Sequence, residues 1–244
     1  MDLSIIVPCF NEVDNISKLK NELLPVLRDL TLGGKVEVIF VDDGSTDGTL
    51  EALRTEFASL QDVQINYEFR RHEINQGLGA ALKTGFSKFA GDIVLTTDSD
   101  GTYKFETIPD MLNHLKDGID MVTASPYHPQ GGVVGVPQYR LILSQGASFL
   151  YRVLVDWKIH TYTCLFRVYR RKMVDEIKFQ SNGFLAGTEL MVLGMLKGYK
   201  VTEFPAVLHR RVFGTSKAKL ASTVLAHLRF QGWVLLYRLH LVSA

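Results

Sequence analysis

Residues 36–48 read VEVIFVDDGSTDG, and the fold turns on that stretch. The apolar run from Val36 to Val41 has the length of a strand buried on both faces. It stops at two aspartates, Asp42 and Asp43, and Gly44, Ser45, Asp47 and Gly48 follow, all turn formers. Asp47 is placed to cap a helix beginning near Thr49. The same punctuation occurs twice more. Leu3 to Val7 gives way to Pro8, Asn11 and Glu12, and Asp92 to Thr97 gives way to Asp98, Ser99 and Asp100.

Two further strands are predicted at Val63 to Phe69 and Ile119 to Ala124. Between the five strands, Asn15–Leu30, Thr49–Leu60, Leu78–Phe89 and Ile108–Lys116 carry the helical period, with Pro25 a potential kink in the first. Alternation of this kind predicts an α/β chain with a largely parallel sheet flanked by helices. Ligands of open α/β sheets settle beyond the carboxyl ends of the strands. The three polar strand ends therefore converge at one sheet edge, as in a nucleotide-binding architecture. After Ala124 the pattern is less regular. A Gly/Pro-rich loop from Pro126 to Pro137, long enough to be functional, leads into an amphipathic helix around Arg140 to Leu154. A helix at Leu190 to Leu196, a strand at Val201 to Phe204 and a basic loop from Arg210 to Lys219 follow. The expected organisation is one catalytic domain over residues 1–220 and a C-terminal amphipathic helix over 221–244.

Composition narrows the class. With 46% hydrophobic and 22% charged residues the chain can build a sizeable core. A net charge of +1 supplies no global field for nucleic acid, so any anion site is local. Cys9 and Cys164 make neither a metal cluster nor a disulfide framework. The sequence runs from Met1 straight into Leu3–Val7 without the pattern of a signal peptide. No stretch reaches the roughly 18 apolar residues of a membrane span. The expectation is a cytoplasmic protein, free or peripheral on the cytoplasmic face of a membrane.

Each chemical motif has two readings. VDDGSTDGT is either a tight turn or a site where Asp42 accepts hydrogen bonds from a base or ribose. In the DSD triplet, Asp98 and Asp100 repel unless a cation lies beside them. Their oxygens suit Mg²⁺ or Mn²⁺, which also bind diphosphate, whereas the plainer reading is a surface turn. Arg210, Arg211, Lys217 and Lys219 around Gly214 make either a phosphate clamp or solvated surface. Glu189, just before an apolar helix, is either a general base or an acid serving the helix dipole. Residues Leu225, Leu228, Trp233 to Leu236 and Leu239, with Lys219, Arg229 and Arg238, suit a membrane interface, or packing on the core or a partner subunit.

Taken in order, VPCFNEVDNI, VDDGSTDGT, NQGLGAALKTGF, TTDSDGTY and RRVFGTSK resemble the inverting family-two glycosyltransferases over Met1 to about Leu220. Within that family they are most similar to the dolichyl-phosphate mannose synthase and bacterial polyprenyl-phosphate subgroup. The resemblance implies a GT-A fold, a nucleotide-diphosphate sugar as donor and a polyprenyl phosphate as acceptor. It implies that Pro8, Phe10, Glu12, Phe40 and Asp42 line the nucleoside. Asp98, Ser99 and Asp100 then meet the diphosphate and a Mg²⁺ or Mn²⁺ ion, Arg211 and Lys217 close over the donor, and Arg140 and Ser144 take the acceptor phosphate. Four departures bear on donor and acceptor identity: Thr102 where a Gln is usual, Pro126 and Gln145 where Arg is frequent, and Leu165 in place of a Gly. A hydroxyl acceptor, with Glu189 as base, is the nearest alternative. A catalytically silent nucleotide-sugar-binding subunit is a second, and donor hydrolysis separates it.

Overall fold

The computed structural model describes residues 2–31, 34–58, 60, 64–213 and 220–242. The chain order is β1 (Leu3–Cys9), α1 (Val13–Leu30), β2 (Val36–Asp42), α2 (Thr49–Leu53), β3 (Ile65–Arg71), α3 (Leu78–Phe86), β4 (Ile93–Thr96), α4 (Ile108–His114), β5 (Met121–Ser125), β6 (Gly132–Val134), α5 (Gln138–Leu154), β7 (Arg167–Arg170), α6 (Arg171–Glu176), α7 (Ala186–Leu196), β8 (Val201–Pro205), β9 (Val207–His209) and α8 (Leu220–Arg238). Seven strands form one sheet in the order β3-β2-β1-β4-β7-β5-β8. β7 runs antiparallel between β4 and β5, and the other pairs are parallel. β6 and β9 make a separate parallel ribbon.

The apolar runs read as continuous because both faces of the sheet are covered. In β1, Leu3, Ile5, Val7 and Cys9 join one core layer with Leu19, Leu23 and Leu27 of α1, while Ile6 joins the other with Ala81 and Leu82 of α3. β2 divides the same way, with Val36, Val38 and Phe40 on the α1 side and Ile39 and Val41 on the α3 side. This is the period-2 alternation of a strand with two buried faces. Polar groups collect instead at the carboxyl ends of β1, β2 and β4, where successive connections leave in opposite directions.

Several boundaries differ from expectation. The first helix runs unbroken through Pro25, which lies on its exposed side, as does Asn21, whose carbonyl the proline frees. The second helix gives way after Leu53 to one wide π-type turn over Arg54–Ala58. The third ends at Phe86, where the Ser87 hydroxyl donates to the Thr84 carbonyl (2.8 Å). The Gly/Pro-rich segment holds β6 within it, and β6, β7, β9 and α6 are all additions to the sequence reading.

α8 lies along α5. His227 faces the Tyr151 hydroxyl (3.1 Å), Gln231 Nε2 donates to the Ala147 carbonyl (3.1 Å), and Arg238 donates to the carbonyls of Leu154 and Val155 (both 2.9 Å). One side of the helix is thus held to the body through Val234, and Leu225, Leu228, Leu235, Leu236 and Leu239 remain exposed. Among the described residues no helix is long and apolar enough to cross a membrane.

Candidate active site

The loops after β1 and β2 are tied together by short polar residues. Asn11, at a φ of +53° that asparagine tolerates, donates its backbone N–H to Ser45 Oγ (2.9 Å), and its Oδ1 accepts from the Thr46 N–H (2.9 Å). Asp47 accepts from the backbone N–H groups of both Val13 (3.2 Å) and Thr49 (3.0 Å), so it serves two helix starts at once. Asp43 does more. Its Oδ1 accepts from Gln76 N–H (2.9 Å) and bonds His72 Nδ1 (2.7 Å), while its Oδ2 accepts from Asn75 Nδ2 (2.9 Å) and Gly77 N–H (2.8 Å). Four positions after β3, His72, Asn75, Gln76 and Gly77, are in this way pinned over the end of β2. Gly44 makes the approach possible. At φ +74° it presses against Ile74, whose carbonyl carbon would stand 2.5 Å from an added Cβ.

These loops enclose a cleft of about 180 Å³ lined by Pro8, Phe10, Glu12, Asp43, Asn75, Gly77, Asp98, Ser99 and Arg211. Pro8, Phe10 and Glu12, which the resemblance assigns to the nucleoside, are among its lining residues. Two other predicted lining residues are not. Phe40 is fully buried in the core, its ring 4.7 Å from that of Phe57 and 5.6 Å from that of Phe69. Asp42 is also fully buried, with Oδ1 accepting from Ser45 N–H (3.1 Å) and Oδ2 3.6 Å from Arg71 Nε. Its neighbour Asp43 lines the cleft in its place, with Asn75 and Gly77, none of which the sequence reading assigned to the nucleoside.

At the other end of the cleft the DSD triplet follows β4. Asp98 borders this cleft, a deeper pocket of about 190 Å³ and a cavity of about 480 Å³, so it stands where three spaces meet. Burial, and then the Asp100 carboxylate beside it, pushes the Asp98 carboxyl up to about 8. Asp100 Oδ1 accepts from Thr102 N–H (3.0 Å), and its Oδ2 meets Arg211 Nη2 at 2.6 Å and Nε at 2.8 Å. The other arm of the guanidinium reaches Glu12 Oε1 at 2.9 Å. Burial raises the Glu12 carboxyl against the opposing pull of Arg211. For Arg211 itself burial disfavours the charge, but Asp100 and Glu12 outweigh it and the net shift is upward. Arg211 therefore joins the first and third acidic strand ends, a convergence predicted from sequence. Lys217 lies outside the described residues.

The electrostatics suit a hard cation. Two carboxylates stand next to each other, burial and the neighbouring negative charge raise one of them against the pull of Arg211, and the guanidinium is seated on the other. Among the described residues no three His, Cys, Asp or Glu side chains assemble into a metal cluster. Asp98 and Asp100 offer two carboxylates, fewer oxygens than the six or so that a Mg²⁺ or Mn²⁺ ion takes.

The 480 Å³ cavity runs from Asp98 and Asp100 to the start of α5, where Arg140 and Ser144 line it. Ser144 Oγ bonds Thr163 Oγ1 (2.6 Å), and Arg140 Nε donates to the Tyr139 hydroxyl (3.3 Å). The same two residues border a groove of about 460 Å³ between α5 and α8, lined mainly by Ile142, Leu143, Leu150, Leu220, Val224 and Leu228. Phe184 borders all four spaces, a position that nothing in its local sequence signals. Glu189 lines none of them. Its Oε1 accepts from Gln180 N–H (2.9 Å) and its Oε2 from Ser181 N–H (2.8 Å), so the carboxylate anchors the loop that carries Phe184. This geometry corrects the expectation of a base.

Residues 4–178 match the family model described as glycosyl transferase family 2. The chain is similar to dolichol-phosphate mannosyltransferase of Pyrococcus furiosus, at 30% identity over 231 residues, covering 94% of this chain and 62% of that protein's length. It is also similar to polyprenol monophosphomannose synthase of Mycolicibacterium smegmatis, at 31% identity over 219 residues and 87% and 79% of the two chains. Its fold resembles glucosyl-3-phosphoglycerate synthase from Mycobacterium tuberculosis, solved with Mn²⁺, uridine diphosphate and glucosyl-3-phosphoglycerate. The TM-score is 0.70 at 18% identity, covering 100% of this chain and 81% of that one, a likeness of fold alone. That neighbour has the GT-A architecture expected from sequence.

Proposed function

This chain belongs to glycosyl transferase family 2, and from that premise we propose that it moves a sugar from a nucleotide diphosphate to a polyprenyl or dolichyl phosphate, with inversion. GDP-mannose or a UDP-sugar is the donor. The observation that carries the reading is the sequence of connected spaces. A cleft of mixed lining and a cavity meet at Asp98, and Arg140 and Ser144 stand where that cavity meets an apolar groove between two helices. The nucleoside end of the donor is assigned to the first, its diphosphate sugar and the acceptor phosphate to the second and an isoprenoid tail to the third.

Pro8, Phe10 and Glu12 hold the nucleoside side, with Asp43, Asn75 and Gly77 closing it. Asp98 and Asp100 face the diphosphate. These two carboxylates would hold a Mg²⁺ or Mn²⁺ ion, which would supply charge neutralisation for the departing nucleotide diphosphate. Arg211 releases Asp100 and Glu12 as the donor enters, and with Lys217 takes up charge that develops on the leaving oxygens. Arg140 and Ser144 orient the acceptor phosphate, a near-dianion at neutral pH that needs no base to attack. Phe184 keeps water from the space between donor and acceptor. The exposed faces of α5 and α8 carry Ile142, Phe149, Val153, Leu228 and Leu235. Neither helix contains an Asp or Glu. That pairing of apolar and cationic groups suits attachment to an anionic membrane surface, where the lipid acceptor resides.

The test is transfer in detergent from a panel of nucleotide sugars, with polyprenyl phosphate and simple sugars as competing acceptors. Product on the lipid phosphate is expected. Transfer to free sugars and never to the lipid would remove the acceptor assignment and leave the family.

A further inference from the structure

Among the described residues Arg140 is one of two arginines that face the acceptor cavity without a carboxylate partner. Arg210 is the other. It follows β9 directly, and its backbone N–H donates to the Val134 carbonyl (2.9 Å), which fixes it to the β6 side of the ribbon. Gly135, at φ +71°, lies beneath its stem, and a Cβ added there would stand 3.2 Å from Arg210 Cβ. The ribbon is thus shaped to let the Arg210 stem pass closely, and the residue lines the 480 Å³ cavity with Arg140, Ser144 and Tyr127. Among the described residues no salt bridge is formed by Arg140 or Arg210, whereas Arg211, next in sequence, is bonded to Glu12 and Asp100. Adjacent arginines therefore face different tasks, Arg211 the acidic end of the cavity and Arg210 the basic end.

We propose that Arg210 and Arg140 together form a two-arginine clamp for the phosphate monoester of the acceptor, with Arg210 a residue that determines acceptor specificity. Two unpaired guanidiniums match a dianion in charge, and each can offer paired N–H donors to its oxygens. A neutral sugar hydroxyl satisfies neither. The proposal deepens the acceptor reading above and rests on it for the lipid, but not for the phosphate.

The experiment uses the full chain with Arg210→Ala, Arg210→Lys and Arg140→Ala. Steady-state kinetics are measured with farnesyl phosphate as acceptor, and direct binding of farnesyl phosphate and inorganic phosphate is measured by calorimetry. Arg210→Ala is expected to raise the acceptor KM roughly ten- to a hundredfold, the range for a lost hydrogen bond to a charged group. The donor KM should stay within twofold, and Arg210→Lys should recover part of the loss. Binding of both phosphates should weaken in Arg210→Ala and Arg140→Ala alike. An acceptor KM and phosphate affinity unchanged in Arg210→Ala would overturn the clamp, as would a rise in donor KM alone, which would assign Arg210 to the diphosphate. If the wild type transfers only to free sugars, the lipid acceptor fails; phosphate binding that still depends on both arginines would then uphold the clamp by itself.

Discussion

Replacing Glu189 by Gln separates two roles that one carboxylate cannot share. In the structure each of its oxygens accepts one backbone N–H, from Gln180 and from Ser181 at 2.9 and 2.8 Å. Glutamine keeps one acceptor and turns an NH₂ group toward the other N–H. The variant loses one charge-assisted hydrogen bond, worth about 1.5–3 kcal/mol, and the surviving bond weakens on becoming neutral. Gln180 is exposed and Ser181 half-buried, so water relieves part of the penalty. The expected loss is therefore about 2 kcal/mol, the lower part of that range. With a urea slope of about 2 kcal/mol per molar, the unfolding midpoint should fall by about 1 M. The protein remains folded, because total stabilities of about 5–15 kcal/mol exceed this loss. Turnover per folded molecule should fall no more than about tenfold, through a looser Phe184 loop, whereas removal of a general base typically costs about 10²- to 10⁴-fold. Urea melts and kinetics on the same preparation decide it. A variant as stable as the parent, with normal donor affinity and a rate at least a hundredfold lower, would refute the anchoring role and restore Glu189 as a base.

Three other perturbations address the donor end. Asp100→Asn should raise the Mn²⁺ concentration for half-maximal rate at least about tenfold, because the amide can ligate but carries no charge to retain a cation; full activity of this variant in chelator would end the metal proposal. Arg211→Ala, and Lys217→Ala with it, should lower kcat by about 10²- to 10³-fold, as loss of a transition-state donor typically does, and normal kinetics at both positions would make the basic loop surface decoration. The third concerns Asp98, whose carboxyl is raised to about 8 in the folded protein, well above the ordinary carboxylate range. The folded state then binds the extra proton, so its contribution to stability is complete below about 4 and is lost as pH rises through about 8. Divalent-cation affinity should rise over the same window as the competing proton leaves, and calorimetry in buffers of different ionisation enthalpy should show proton release near pH 7. No release there would place Asp98 in its charged form before the cation arrives.

The strands that position the site were legible because each ends in the same way, an apolar run stopped by acids, and that pattern has one physical cause in a doubly covered sheet. β7 escaped notice because its first residue is charged. Arg167 is nonetheless fully buried, donating to the Gly187 and Tyr162 (2.7 Å) carbonyls and to Thr123 Oγ1 (3.3 Å), which are partners distant in sequence or in direction. The β6–β9 ribbon is three residues per strand, too short for any period to show. Neighbouring residues at a strand end point to opposite sides, so choosing Asp42 over Asp43, or assigning Phe40 to the cleft, required the register that only pairing supplies. Phe184 and Glu189 depend on a loop folded back over α3 through the bond from Gly79 N–H to the Asn182 carbonyl (2.7 Å), a contact without local signature.

The same geometry bears on why the acceptor should bring its own charge. Among the described residues, the only carboxylates that border the acceptor cavity are Asp98 and Asp100, and the groove between α5 and α8 is bordered by none. Asp100 is bonded to Arg211, and burial beside Asp100 raises the Asp98 carboxyl; both carboxylates lie at the end of the cavity proposed for the donor. Glu189 is committed to the loop backbone. What remains for an incoming nucleophile is Arg140, Arg210, the hydroxyls of Ser144, Thr102, Tyr127 and Tyr139, and one imidazole, His209. A hydroxyl acceptor needs a group to take its proton, and among the described residues His209 is the one such side chain left there. A phosphate monoester needs donors and counter-charge, and gives up no proton in attacking. The proposed acceptor is thus favoured by what the cavity offers at its basic end and by where its acids are already occupied.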